Sequence, residues 1–225
     1  MTEAQTTKKK KAKDELTLEE RIVQAYVDYR LNHASTPESV FAFCKAIEIK
    51  ESDFYSAFNA FEQIEETFWK NQIHMVTTRL RDSEEWSSFS AREKMLAFYF
   101  SWFEQLLENR SFAIATFGDG MSMPLKSDPL KSLKREFENW VKEILLEGES
   151  QGEVAPRKLV SGRYPDLLWL QLVFLFQYWK RDRSKGFENT DAAIEKSVNL
   201  SFDLMGKGVI ESFTDFARFF LKSQA

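Results

Sequence analysis

What most constrains this chain is the stretch at residues 36–58, together with the two segments it joins. Two short apolar-striped segments flank a tight connection around Ile49, and the second ends on Phe54, Tyr55 and Phe58. An amphipathic segment with helical spacing precedes it at 18–32, and a long one follows at 61–82. Short helix, turn, short helix, set between longer helices, is the pattern of a helix-turn-helix at the front of a larger helical body.

The rest of the chain agrees with an all-helical reading. β-Branched runs of period two are absent, and 225 residues contain only 8 Gly and 5 Pro. The 21 Phe and 6 Trp, in a chain that is 43% apolar, supply a sizeable core with aromatic surface left over to line a cavity. A formal net charge of −4 does not advertise a nucleic-acid binder. The single cysteine, Cys44, allows no internal disulfide. No apolar run approaches the ~18 residues of a membrane span. The expectation is a soluble, cytoplasmic, all-α protein of about nine to ten helices.

Local signals place those helices. Thr17 and Glu20 form a capping box before the first, whose Ile22, Ala25, Tyr26 and Tyr29 recur at three- and four-residue steps. Thr36-Pro37-Glu38 opens the second, with Val40, Phe41, Cys44 and Ile47 as its apolar stripe. The third starts near Glu51 and is anchored by Phe54, Tyr55 and Phe58. In the fourth, at 61–82, Trp69, Ile73, Val76 and Leu80 form the buried side, while Glu65, Glu66 and Lys70 face water. Ser90 caps a helix running to 109 that is apolar on nearly all sides, as a central helix is. Residues 118–129 read as a long irregular loop, its Met121 and Met123 placed either to close over an apolar cavity or to pack the loop down. Further helices follow at 130–146, ended by Gly148, at 164–179, at 187–205 and at 209–221.

The motifs RIVQAYVDY, FCKAIEI and DFYSAF followed by FEQIEETFW, with Thr36 between the first two, resemble the N-terminal domain of the TetR family of transcriptional regulators. The resemblance covers roughly residues 18–70. It implies a three-helix DNA-reading domain at 16–65, after a basic tail at 1–15. A larger ligand-binding and dimerising bundle follows at 66–225, with the homodimer formed through helices at 161–222. Carried over by position, the DNA contacts are Thr36, Lys45, Lys50, Ser52, Tyr55, Ser56 and Lys70. An apolar ligand would be held by Phe98, Trp102, Phe103, Met121, Met123, Trp140, Trp169 and Phe174. No cofactor is implied.

The chain departs from the family pattern where charge matters. Glu48 stands in the turn where Gly is usual, Lys50 where Ser caps the third helix, Ala57 before the closing Phe, and Phe61 where Lys starts the fourth helix. Residues 14–70 hold twelve acidic and five basic side chains, a net of −7, facing a ligand that is itself polyanionic. The lysines at 8–11 and 13 read either as part of a solubilising tail or as an arm for phosphates.

A second resemblance lies at 177–196. Tyr178, Trp179, Asp182, Ser184, Phe187, Thr190 and Ile194 are similar to a segment of a TetR-fold lipid-binding protein that assists ubiquinone biosynthesis. A local explanation competes, since Asp182 or Ser184 can cap the next helix and Phe187 can staple it. Two readings follow: a ligand-controlled, DNA-binding homodimer, or an accessory protein that kept the fold and binds an isoprenoid or acyl chain. The regulator is preferred because Thr36, Tyr55 and the helix spacing are kept. An enzyme is not expected. His33 and His74 have no metal-site spacing, Cys44 lies on an apolar stripe, and there is no phosphate loop or nucleophile elbow.

Overall fold

The computed structural model describes residues 16–118, 128–157 and 161–206. The expectations for the basic tail, for Met121 and Met123, and for the last helix at 209–221 lie outside these residues. The described residues form nine α-helices and no strand: α1 (Leu18–His33), α2 (Val40–Ala46), α3 (Glu51–Ala57), α4 (Phe61–Arg81), α5 (Ala91–Leu107), α6 (Arg110–Phe117), α7 (Asp128–Gln151), α8 (Tyr164–Arg181) and α9 (Glu188–Met205). They make two compact units. The first holds α1–α3, α4 to Asn71, α6 and the start of α7 to Leu133; the second holds the rest.

Helix ends follow local chemistry. Thr17 Oγ1 accepts from the Glu20 amide at 3.2 Å, and the Glu20 carboxylate accepts from the Thr17 amide at 2.8 Å. Ser90 and Glu93 repeat this reciprocal cap on α5. Helix α2, in contrast, begins three residues later than its opening Thr-Pro-Glu suggests. Ser39 is its N-cap, accepting from the Ala42 amide at 3.1 Å, while the Thr36 hydroxyl accepts from Arg30 instead. The phase of the stripe moves too. Phe43 is buried beside Cys44, and Phe41 is 63% exposed.

The core of the first unit is built around rings. Tyr26 stacks on Phe61 at 5.5 Å and meets Phe43 and Phe112 edge-on, so α1, α2, α4 and α6 share one aromatic cluster. Of the three anchors expected on α3, Phe54 and Phe58 are buried and Tyr55 is 51% exposed. Glu65 and Glu66 are not on a solvated face. Glu65 is paired with Arg30, and Glu66 accepts from Ser132 Oγ. Glu48, in the turn between α2 and α3, sits at φ 59°, the left-handed region where glycine is the unstrained residue.

In the second unit α5 buries Met95, Phe98, Tyr99, Trp102, Phe103 and Leu106, and exposes only the strip of Phe100 and Leu107 among its larger apolar side chains. Helix α7 does not stop at Gly148 but continues to Gln151. A Cβ at Gly148 would lie 2.9 Å from Ala91 Cβ and 3.0 Å from Val154 Cγ2, so this glycine serves close packing rather than termination.

Candidate functional site

Two surfaces and one interior carry the candidate residues. On the first unit, α2 and α3 are seven-residue helices joined by residues 47–50. Lys45, Lys50, Ser52, Tyr55 and Ser56 are all exposed there, as is Ser39 at the start of α2. Ser39 was not among the residues singled out from the sequence, although a serine before a short apolar-striped helix is the usual signal of a cap. Thr36 and Lys70 are exposed as well.

The acids nearby are partly committed elsewhere. Asp53 turns back to the start of its own helix and accepts from the Lys50 amide at 3.3 Å. Glu51 stands in the first turn of α3, where the helix dipole favours a negative charge. Glu48 lines an opening of about 330 Å³ with Arg21, Asp28, Ile22, Ile47 and Ile49, between α1 and the α2–α3 connection. Cys44 is buried, and burial pushes its thiol up, with Glu51 and Asp53 adding to the effect.

Behind α2 lies a polar network. Arg30 Nη1 donates to Glu65 at 2.6 Å, to the Tyr26 hydroxyl at 3.1 Å and to Thr36 Oγ1 at 3.2 Å. The Tyr26 hydroxyl donates to the same Glu65 oxygen at 2.8 Å. Burial, aided by the Glu65 charge, pushes the Tyr26 phenol up to about 12. The network ties α1, α4 and the α1–α2 connection together.

In the second unit Phe98, Trp102, Phe103, Trp140 and Trp169 are buried and in ring contact through Phe137, Phe176 and Trp179. Phe98 and Trp140 are 4.4 Å apart, and Phe137 stands 5.6 Å from Phe98 and 6.0 Å from Trp169. Phe174 is not with them. It is exposed on α8, in a strip with Leu167, Leu170 and Tyr178, and α9 adds exposed Leu200 and Leu204. Gln171 of α8 donates to Ser197 and accepts from Ser201, both on α9, at 2.9 and 3.0 Å. A shallow groove of about 550 Å³ lies along the end of α4, lined by His74, Met75, Thr78, Arg79, Asp82 and Ser83.

A family model described as tetracyclin repressor-like, C-terminal domain, matches residues 94–220, more than half of the chain. The chain belongs to the TetR family. No curated protein matches it at a significant level. The family match falls on the part of the chain that holds the aromatic interior and the α8–α9 strip. As a TetR-family protein it carries the all-helical fold expected from its sequence, and no described helix is long and apolar enough to cross a membrane.

The segment at 177–196 has a structural account within this TetR-family chain. One Asp182 oxygen accepts from the Ser184 amide and hydroxyl at 2.8 and 2.7 Å, the other from the Thr190 amide and hydroxyl at 2.8 and 2.6 Å. Ser184 Oγ accepts from the Asn189 amide at 3.1 Å. Both residues therefore cap α9, and Phe187 packs 6.1 Å from Trp179. The Thr190 hydroxyl above all holds the Asp182 carboxyl down at about 2. Because this folded value lies below the ordinary one near 3.8, the stabilisation is complete above the ordinary value and is lost as pH falls through the folded one. Asp182→Asn should lower the melting temperature at neutral pH, and the gap from the native chain should close on acidification from about pH 4 to about pH 2. Thermal melts across that range test this.

Proposed function

We propose that this TetR-family chain is a DNA-binding homodimeric regulator controlled by an apolar small molecule. The observation that carries the reading is the set of exposed polar side chains on and just before α2 and α3, Ser39, Lys45, Lys50, Ser52, Tyr55 and Ser56, with Asp53 turned back to its own helix cap. In this reading α2 and α3 are a helix-turn-helix. α3 enters the major groove while Ser39, Lys45 and Tyr55 meet the backbone. Thr36 and Lys70 extend the phosphate contacts, and Thr36 does so from the grip of Arg30.

The apolar strip of Leu167, Leu170, Phe174 and Tyr178, with Leu200 and Leu204, supports a dimer through α8 and α9. A twofold pair would set two α3 helices about 34 Å apart for successive major grooves. The ligand is held by the interior of Phe98, Trp102, Phe103, Trp140 and Trp169, and ligand and DNA affinities are coupled reciprocally. The saturated cap at Asp182 leaves the lipid-accessory reading with less support, since the residues that carried it are used within the chain.

The deciding experiment is retention of genomic duplex fragments by the native chain over a salt titration. Recovered fragments should lose affinity for Lys45→Glu and Lys50→Glu by at least tenfold each, with a shallower salt slope. No retained fragment even at low salt overturns the regulator. Leu170→Glu is expected to give a monomer in sedimentation and to weaken operator binding; an unchanged dimer mass would refute the α8–α9 interface.

A further inference from the structure

We propose that Lys94 and Trp140 form the head-group site of the ligand, and that this ligand is an apolar carboxylic acid. The inference rests on the reading of the second unit as the ligand-binding half, and it names the chemistry that half selects.

Lys94, on α5, has a side chain only 5% exposed. A buried ammonium is held by partners, and it carries three N–H donors. Its hydrogen-bond partner is Glu147 of α7, and its Nζ lies 5.2 Å from the centre of the Trp86 ring. Glu147 is itself half-exposed, so it can turn out to water. Flanking the same indole, Trp140 has its ring centre 6.3 Å from that of Trp86. The Trp140 Nε1–H is buried and has no acceptor. Buried donors are nearly always paired, and one left without a partner inside an aromatic cluster marks a place where an acceptor belongs.

Two donors flank one ring: the Trp140 Nε1–H, which has no acceptor, and the cationic Lys94 Nζ, whose acceptor Glu147 is half-exposed. A carboxylate offers two acceptor oxygens side by side, one for Lys94 Nζ and one for Trp140 Nε1. It also supplies the charge that Lys94 loses when Glu147 swings outward, so the buried cation is never stranded. The apolar part of the ligand would follow the wall of Phe98 and Phe137, which begins 4.4 Å from Trp140. Trp86, half-buried on the turn at Glu84–Ser88, and the exposed side of Glu147 bring this corner to the surface. A neutral alcohol engages only one of the two donors and leaves Lys94 with Glu147.

Titration calorimetry of the full chain with monomeric dodecanoate and dodecanol tests the assignment. Dodecanoate should bind at least about tenfold more tightly than dodecanol. Lys94→Met should erase that preference. Trp140→Phe keeps the ring, loses the donor that both compounds use, and should weaken dodecanoate about fivefold and dodecanol at least as much, with the preference for the acid kept through Lys94. Glu147→Gln removes the competing carboxylate and should tighten dodecanoate while leaving dodecanol unchanged. Trp140→Phe and Glu147→Gln keep Lys94 in place and decide the matter if Lys94→Met does not fold. Equal binding of acid and alcohol, or weaker acid binding by Glu147→Gln, overturns the head-group site and leaves the ligand-binding reading standing. Binding of neither compound by the native chain overturns both.

Discussion

An Arg30→Met variant is expected to lose about 3 kcal/mol of stability at neutral pH, the scale of a buried ion pair broken from one side. The Arg30 and Glu65 side chains are only 16% and 15% exposed, so water replaces the lost partner only in part. Glu65 would keep its charge in a buried place, with only the Tyr26 hydroxyl donating to it. The pH dependence carries the diagnosis. Burial already pushes the Glu65 carboxyl above its ordinary value near 4.5, against the pull of Tyr26 and Arg30. A carboxyl raised in the folded state favours folding when protonated, so that contribution is present at low pH and is lost as pH rises through the folded value. Without Arg30 the folded value rises further. The deficit of the variant should therefore shrink as the solution is made mildly acidic. Urea unfolding at neutral and mildly acidic pH measures it, and a deficit that does not change with pH would show that Glu65 is not the stranded group. Arg30→Met combined with Glu65→Leu should recover much of the loss, because removing both charges removes the stranded one.

Arg157→Ala is expected to cost a further few kcal/mol, about 2–4, through the end of α9. Its guanidinium donates to the carbonyls of Leu204, Met205 and Gly206 at 3.2, 3.1 and 2.8 Å, and to the Tyr164 hydroxyl at 2.9 Å. The last carbonyls of a helix have no partner within it, and a cation there also meets the negative end of the helix dipole. The Ala155 amide donates to the Met205 carbonyl at 2.9 Å, so the same short segment grips the helix end twice. Hydrogen exchange should rise over the last turn of α9 in the variant before it rises in α5. Uniform exchange across the unit would mean that Arg157 acts on global stability rather than on the helix end. Arg157→Lys should restore only part of the effect, since a single ammonium does not reproduce a fork reaching three carbonyls.

Much of the fold was legible in the sequence because its signals are local. Thr17 with Glu20 and Ser90 with Glu93 act on amides three residues away, so their spacing alone places helix starts. Long helices also declare themselves, since α4, α5, α7, α8 and α9 repeat the apolar period over several turns. The short helices do not. Seven residues make two turns, and in Val40–Ala46 the stripe through Phe41 and the one through Phe43 fit the period almost equally well. Only packing against Tyr26, Phe54 and Phe61 chooses Phe43 and leaves Phe41 to solvent.

The candidate sites divide in the same way. The sequence by itself determined an all-helical chain, its aromatic interior, and the exposed polar positions Lys45, Lys50, Ser52 and Ser56 around the α2–α3 connection. The tertiary structure decided that Ser39 rather than Thr36 opens α2, and that Thr36 answers to Arg30 instead. It also placed Phe174 outside the interior, on the apolar strip of α8. Above all it decided which charges are buried. Arg30 meets Glu65 across 35 positions of chain, and Lys94 meets Glu147 across 53. A charged residue on a helix looks solvated from its neighbours in sequence. Whether it is buried depends on which other helix folds against that face, and no local pattern encodes that choice.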